Sequence, residues 1–200
     1  LVLPPRLAPT QVVIIPIYRG AEELEEVNTV ADKIVADLVA KGVRVKYDNR
    51  DTHKPGWKFN EYELQGIPVR LAIGPRDIKN GVVEQLRRDT MEKTSVAIDK
   101  VAEDMPNLLE TIQKRLFDKA LEFRKENTHQ VNNWTEFKEQ IERGGFISAH
   151  WDGSPETEEA IKKETMATIR CIPLDAKDEE GECVYSGKPS SKRVLFARAY

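Results

Sequence analysis

The first half of the chain alternates two hydrophobic patterns. Residues 11–17 form an almost unbroken apolar run, which predicts a strand that is covered on both faces. Residues 22–41 carry apolar side chains at helical spacing, with acidic residues in the first turn, which predicts an amphipathic helix. Residues 43–47 then alternate apolar and polar positions and predict a second strand.

The stretch 53–77 repeats this order and ends in charged residues. Two turn signals, Lys-Pro-Gly and Gly-Ile-Pro, bracket a short predicted helix. Residues 69–73 predict a third strand, and a Gly-Pro turn then presents Arg76 and Asp77 just past its C-terminal end. Residues 82–88 predict a further strand at the edge of the sheet. The order β-α-β-α-β favours a largely parallel sheet with helices on its faces.

The remaining segments predict the domain organisation. A long helix at 108–127 is followed by a polar, aperiodic stretch that we interpret as a domain boundary. The elements predicted beyond it are a helix after Trp134, strands at 146–150, 168–172 and 194–199, and a helix that starts at Pro155 after an N-cap serine, Ser154. We therefore expect a proline-rich linker at 1–10, an α/β domain at 11–128 and a small α/β domain at 129–200.

Composition narrows the class of protein. With 40% hydrophobic and 32% charged residues, the chain has the composition of a soluble globular protein. No apolar run approaches the roughly 20 residues of a membrane span, so no membrane partner is expected. Two cysteines give no disulfide framework and favour a reducing, cytosolic setting. Because the chain begins with Leu1 and not Met, we expect it to be a piece of a longer protein.

Charge is distributed unevenly along the chain. The net charge of −3 argues against a bulk DNA-binding protein. Residues 41–93 nevertheless carry 12 Lys or Arg against 8 Asp or Glu, whereas residues 136–182 carry 6 against 13. A basic part joined to an acidic part suits a chain that contacts nucleic acid with one region only.

Acids and bases are concentrated around the third predicted strand. Glu63 precedes it, Arg70 lies on it and Asp77 follows it. Such a set could serve an enzyme, a phosphate site or the recognition of a nucleobase edge. Base recognition fits best, because the Watson–Crick edge of guanine offers one acceptor beside two N–H donors. The alternative is a network of surface salt bridges, which is the ordinary role of exposed charges.

Enzyme signatures are missing from the sequence. The three histidines, His53, His129 and His150, stand beside no nucleophile motif of the G-x-S-x-G kind. No glycine-rich phosphate loop follows the first strand, so a dinucleotide or nucleotide triphosphate site is not expected. Cys171 and Cys183 have no C-x-x-C partners, and reduced, buried thiols are the better interpretation.

Four stretches together resemble one family. They are LVLPPRLAP, QVVIIPIYRG, VRVKYDNRDTHKPGWKFNEYELQGIPVRLAIGPRD and the terminal GKPSSKRVLFARAY. The chain resembles prolyl-tRNA synthetases of the archaeal and eukaryotic type, over the part that follows the class II catalytic core. The resemblance implies a class IIa anticodon-binding domain, a five-stranded mixed sheet flanked by helices, followed by a small α/β C-terminal domain.

The resemblance also implies roles for individual residues. In this family the two guanines of the proline anticodon are read by a carboxylate before the Gly-Ile-Pro turn, an arginine on the next strand, a basic–acidic pair after Gly-Pro and a lysine beyond the next strand. The matching positions here are Glu63, Arg70, Arg76 with Asp77, and Lys93. The family often has lysine where Arg76 stands. The basic residues Lys58, Arg87 and Arg88 would contact phosphate.

The C-terminal domain departs from the family pattern. The family often binds zinc there through two cysteine pairs, but the first pair falls on residues 150–157, which contain no cysteine, and the second on Cys183 and Ser186. With three of four ligands missing, we expect no structural zinc and a loop held by side-chain packing instead. The family's C-terminal tyrosine, here Tyr200, would reach back toward the active site.

As a whole, the resemblance predicts the tRNA-binding part of a cytoplasmic, homodimeric proline–tRNA ligase. The full enzyme would use ATP, whereas this chain, without the class II motifs, should bind tRNA(Pro) and not aminoacylate it, and needs no cofactor of its own. Neither DNA nor a membrane is an expected partner. One alternative is a stand-alone interaction or RNA-binding module that reuses the anticodon-binding fold. A small α/β enzyme is a third possibility, disfavoured by the missing phosphate loop and nucleophile.

Overall fold

The computed structural model describes residues 1–198 and divides into two compact units. Unit 1 comprises residues 1–119, and unit 2 starts at residue 120, within a long helix. The elements that begin in unit 1 are β1 (Val12–Pro16), α1 (Ala21–Ala40), β2 (Val45–Tyr47), α2 (Pro55–Leu64), β3 (Val69–Ile73), α3 (Pro75–Lys79), β4 (Val82–Arg87), β5 (Lys93–Ala97) and α4 (Val101–Glu126). Among the described residues, no helix combines the length and apolar character of a membrane span.

Unit 1 contains a five-stranded mixed sheet in the order β2-β1-β3-β4-β5. β1 pairs in parallel with β2 and β3, whereas β4 and β5 join as an antiparallel hairpin. The mixed sheet confirms the fold class that the resemblance implies. The largely parallel sheet expected from the β-α-β-α-β order alone was wrong, because two of the four strand pairs are antiparallel. The expectation that residues 82–88 form the edge was wrong, because β5 pairs along the outer side of β4.

The two faces of this sheet have different covers. On one face Val12, Ile14 and Leu71 are fully buried in a core shared with α1 and α4. On the other face Val13 and Ile15 pack against α2. β1 is therefore buried on both faces, as its unbroken apolar run predicts.

The first ten residues make specific contacts with unit 1. The backbone N–H of Leu3 donates to the carbonyl of Gly66 at 2.8 Å. The Arg44 guanidinium donates to the carbonyls of Pro5 and Ala8 at 2.8 and 2.9 Å. Ala8 is buried. Hydrogen bonds to its backbone carbonyls thus hold the segment that we interpret as a linker against the domain. These bonds satisfy the carbonyl groups although the segment forms no helix or strand.

Unit 2 is built around a four-stranded sheet in the order β6-β7-β11-β8. Its elements are β6 (Thr128–Gln130), α5 (Trp134–Arg143), β7 (Phe146–His150), α6 (Pro155–Thr165), β8 (Ala167–Cys171), β9 (Gly181–Glu182), β10 (Pro189–Ser190) and β11 (Arg193–Arg198). Phe137 and Phe196 meet edge to face at 5.1 Å in its core. Ser154 caps α6 by accepting from the backbone N–H of Thr157, as predicted.

The polar stretch after the long helix is not wholly irregular. Residues 128–130 form β6, which pairs in parallel with β7 as part of the second sheet. The change of unit falls earlier, within α4 between Lys119 and Ala120. The boundary at residue 128 stays a prediction.

Candidate nucleic-acid interface

The polar residues of the candidate site share one face of the first sheet. Arg70 lies opposite Leu86, and Ala72 lies opposite Glu84, in the β3–β4 pair. Leu86 in turn lies opposite Lys93 on β5. Because directly paired residues of antiparallel strands point to the same face, the side chains of Arg70, Glu84 and Lys93 lie on one surface.

Arg70 is buried and held from two sides. Its Nη2 donates to Oε1 of Glu84 at 3.0 Å, and its guanidinium lies 3.7 Å from the ring centre of Phe59. Lys93 Nζ approaches the same Glu84 oxygen at 3.8 Å. Only 6% of Arg70 is exposed, so the stacking and the ion pair fix the guanidinium in one position.

Glu63 reaches this surface from α2. Phe59 and Glu63 are four residues apart, which places both on one side of the helix. Together with Arg70, Arg88 and Leu86, they line a narrow depression that we call the cleft. The structure therefore brings one carboxylate and two guanidinium groups together, with an aromatic ring as one wall.

Arg76 and Asp77 lie at another place on the domain. The Gly-Pro turn that precedes them is the N-terminus of α3, and Asp77 Oδ2 accepts from the backbone N–H of Gly74 at 2.9 Å. Arg70 is the second residue of β3, so about 10 Å of strand separates it from the strand's C-terminal end. Asp77 caps α3, the exposed Arg76 follows the end of β3, and neither residue lines the cleft.

The structure contradicts the predicted phosphate contact of Lys58. Only 1% of this side chain is exposed, and its ammonium donates to the carbonyls of Asp48 at 2.9 Å and of Arg50. The Asp48 carboxylate lies 3.6 Å away, and burial lowers the pKa of Lys58. The ammonium of this buried residue binds the loop between β2 and α2 and is not exposed to RNA.

Arg87 and Arg88 do not share a basic surface. Arg87 pairs with Val69, whose side chain belongs to the core on the opposite face of the sheet. Its Nη2 lies 2.9 Å from the fully buried carboxylate of Asp89, which also lies 3.4 Å from Arg115 of α4. Arg87 and Arg88 lie on opposite faces because successive residues of a strand alternate between its two faces. Arg88 alone of the two lines the cleft.

Two residues that contact Arg70 were not identified from the sequence. Phe59 precedes Glu63 by one helical turn, and this i, i+4 spacing is a signal that the sequence does contain. Glu84 is the acceptor that fixes Arg70. Its role depends on the pairing of β3 with β4, and no local pattern specifies it.

Comparisons with known proteins match both parts of the chain. A family model described as "Anticodon binding domain" matches residues 11–108, and one described as "Prolyl-tRNA synthetase, C-terminal" matches residues 134–200. The chain is 59% identical over 200 residues to a proline–tRNA ligase of Porphyromonas gingivalis and 56% identical over 201 residues to one of Flavobacterium johnsoniae. The chain belongs to the prolyl-tRNA synthetase family.

The similarity extends over the whole chain but not over the whole of the relatives. All 200 residues are matched, and they span 41% of the length of each of these two ligases. A crystal structure of prolyl-tRNA synthetase from Cryptosporidium parvum, complexed with L-proline and AMP, matches with a TM-score of 0.92 at 36% identity. That match covers 100% of this chain and 43% of the other.

The zinc-binding pattern of prolyl-tRNA synthetases does not fit the corresponding loops of unit 2. Asp152 accepts hydrogen bonds from Ser186 Oγ at 2.6 Å, Thr157 Oγ1 at 2.9 Å and the backbone N–H of Ser154 at 3.0 Å. Cys183 is buried. Within residues 1–198 no group of three or more His, Cys, Asp or Glu side chains is arranged to hold a metal ion. Hydrogen bonds to one carboxylate, in addition to the predicted packing, hold these loops.

Replacing Asp152 by alanine should lower the free energy of unfolding of unit 2 by about 1–2 kcal/mol, because three donors lose a charged acceptor. Burial raises the pKa of Asp152, but hydrogen bonds from Ser186, Ser154 and Thr157 outweigh it and hold the pKa below its usual range. Denaturant unfolding monitored by tryptophan fluorescence measures the loss. Asp175→Ala, in an exposed loop of the same unit, is the control. Equal stabilities for the two variants would contradict the prediction.

The predicted role of Tyr200 lies outside the described residues.

Proposed function

We propose that this chain is the tRNA-binding part of a proline–tRNA ligase and that unit 1 reads the two guanines of the proline anticodon. The observation that carries the proposal is the cleft, which is lined by Glu63, Arg70 and Arg88. A carboxylate can accept from N1–H and the 2-amino group of guanine, and a guanidinium can donate to O6. Adenine offers the reverse pattern at these positions and would leave both protein groups unpaired.

The site residues form two groups, which suits two separate bases. Glu63 and Arg70 belong to the cleft, and Lys93 is linked to it through Glu84. Arg76 and Asp77 form the second group beyond the end of β3. Unpaired bases of an RNA loop can be splayed apart, so each group can take one guanine. Asp77 keeps capacity for a base because a carboxylate accepts several hydrogen bonds.

The catalytic role of this part is orientation. The relatives are named proline–tRNA ligases, and the Cryptosporidium structure contains L-proline and AMP. In the full enzyme, which we propose to be a cytoplasmic homodimer that uses ATP, fixing the anticodon would hold the acceptor end of tRNA(Pro) near the activated proline. Correct placement of this kind lowers the entropic part of the activation barrier.

Binding of two RNAs tests the proposal. The 200-residue chain is titrated at fixed salt with tRNA that carries a proline anticodon, and with the same tRNA in which both guanines are replaced by adenines. We expect the replacement to weaken binding by about 5- to 150-fold for each base contact, corresponding to about 1–3 kcal/mol. Equal affinity for the two RNAs would refute base reading. The alternative of an interaction module that binds RNA without base specificity would then be favoured.

A further inference from the structure

Arg88 occupies a position in the cleft that its sequence neighbours do not share. It follows β4, and its backbone N–H donates to the carbonyl of Pro68 at 3.0 Å, which extends the β3–β4 pairing by one step. Because Leu86 and Arg88 are two residues apart, they point to the same face of the sheet as Arg70. Its side chain lines the cleft together with Glu63 and Arg70.

Two N–H groups at the cleft have no partner. The Nε–H of Arg88 and the Nε–H of Arg70 are both buried, and neither has a hydrogen-bond acceptor among the described residues. A buried donor without an acceptor is destabilising, so a ligand that supplies acceptors would relieve this cost. Arg87 differs, since the Asp89 carboxylate accepts from its guanidinium.

The carboxylates beside these donors select the kind of ligand. Two guanidinium groups alone would suit a phosphate, but Glu63 lines the same cleft and Glu84 binds Arg70. These two carboxylates offset most of the positive charge that would attract a phosphate. A guanine edge needs no net positive charge, because it is neutral and places the O6 acceptor beside the N1–H and 2-amino donors.

We propose that Arg88 reads a guanine base: its guanidinium donates to O6 while Glu63 accepts from N1–H and the 2-amino group. This inference rests on the proposed function and assigns Arg88 to specificity instead of to phosphate binding. Arg70, fixed by Phe59 and Glu84, supplies the second donor to the same edge.

Modified RNAs distinguish base recognition by Arg88 from phosphate binding by Arg88. The tRNA is prepared with guanine, 6-thioguanine or inosine at each of the two anticodon positions. 6-Thioguanine keeps N1–H and the 2-amino group but replaces O6 by sulfur, a weak acceptor, whereas inosine keeps O6 and lacks the 2-amino group. Affinities for the unchanged chain, Arg88→Met and Arg88→Lys are measured by fluorescence anisotropy at fixed salt. Arg170→Gln, an exposed arginine of unit 2, controls for the loss of one positive charge.

We expect the unchanged chain to bind 6-thioguanine RNA more weakly than guanine RNA at one of the two positions, within the 5- to 150-fold range of a base contact. In Arg88→Met this difference should shrink, because only Arg70 still donates to O6, and the penalty for inosine should remain. Arg88→Lys should restore part of the overall affinity through its charge, but not the full discrimination, because lysine lacks the planar fork.

Two other outcomes would overturn the inference. If Arg88→Met weakens all three RNAs equally and keeps the 6-thioguanine penalty, Arg88 contacts phosphate. If the unchanged chain distinguishes guanine from adenine but not from 6-thioguanine at either position, the proposed function survives and the role of Arg88 in reading O6 fails. Thermal unfolding of each variant shows whether the fold is retained, and Arg88→Lys supplies the same test if Arg88→Met does not fold.

Discussion

Replacing Asp48 by alanine should lower the free energy of unfolding of unit 1 by about 3–5 kcal/mol, the usual cost of removing one partner from a buried ion pair. Only 1% of the Asp48 side chain is exposed, and it accepts from Arg50 at 2.7 and 2.8 Å and from the Tyr62 hydroxyl at 2.9 Å. Without it, the buried Lys58 ammonium keeps only backbone carbonyls as acceptors. Urea unfolding of both proteins measures the difference.

The pH dependence of stability gives an independent test of Asp48. Hydrogen bonds from the Arg50 side chain, with those from Tyr62 and the backbone, hold the pKa of Asp48 well below its usual range. Its contribution is therefore fully present above the unfolded-state pKa of about 3.9 and is lost as the pH falls toward the lower folded-state value. The alanine variant should lose less stability than the unchanged chain below about pH 4.

Asp51 provides the matched control, since it lies in the same loop and is exposed. Asp51→Ala should change the stability by less than about 0.5 kcal/mol. A loss of similar size in both variants would show that the loop's total charge, and not the buried pair, stabilises the domain.

Replacing Glu63 by glutamine should reduce discrimination between guanine and adenine in the anticodon by about 1–3 kcal/mol, the scale of one good base contact. Glutamine keeps the size and one acceptor oxygen, but it turns an amino group toward the N–H donors of guanine. Binding of the two tRNAs to each variant measures the effect, and stability should change little because Glu63 is only half-buried.

Glu61→Gln is the control for this prediction. Glu61 lies on the same helix two residues earlier, accepts from Gln65 and does not line the cleft. Its replacement should leave discrimination unchanged. If both variants lose discrimination equally, the effect comes from the charge of the helix, and Glu63 is not a base contact.

The two predictions concern neighbouring residues of one helix. Lys58 and Tyr62 anchor α2 to the loop that contains Asp48, and Phe59 and Glu63 face the cleft. A variant that loosens the anchor would also displace the carboxylate that we propose reads the base. Glu63→Gln should act on recognition alone, whereas Asp48→Ala should lower both stability and recognition.

Local patterns predicted most of the regular elements. The positions of β1, α1 and β3 agree with the predictions from apolar runs and helical spacing. An element that is buried on one or two faces needs apolar residues at regular intervals, and this pattern is visible in the sequence. β5 was missed for a local reason as well. Its residues are mostly exposed and polar, and the turn before it uses Met91 at a φ of 60°, where glycine or asparagine is the usual marker.

The sequence by itself determined the family, the α/β class and the concentration of acids and bases around β3. Only the tertiary structure decided which charges are available. The Lys58 ammonium is bound by backbone carbonyls eight and ten residues earlier in the chain. Arg87 and Arg88 point to opposite faces of the sheet, because side chains alternate along a strand and strand pairing decides which face each one meets. Whether a charged side chain can bind a ligand depends on its neighbours in the folded structure, and local sequence patterns do not specify those neighbours.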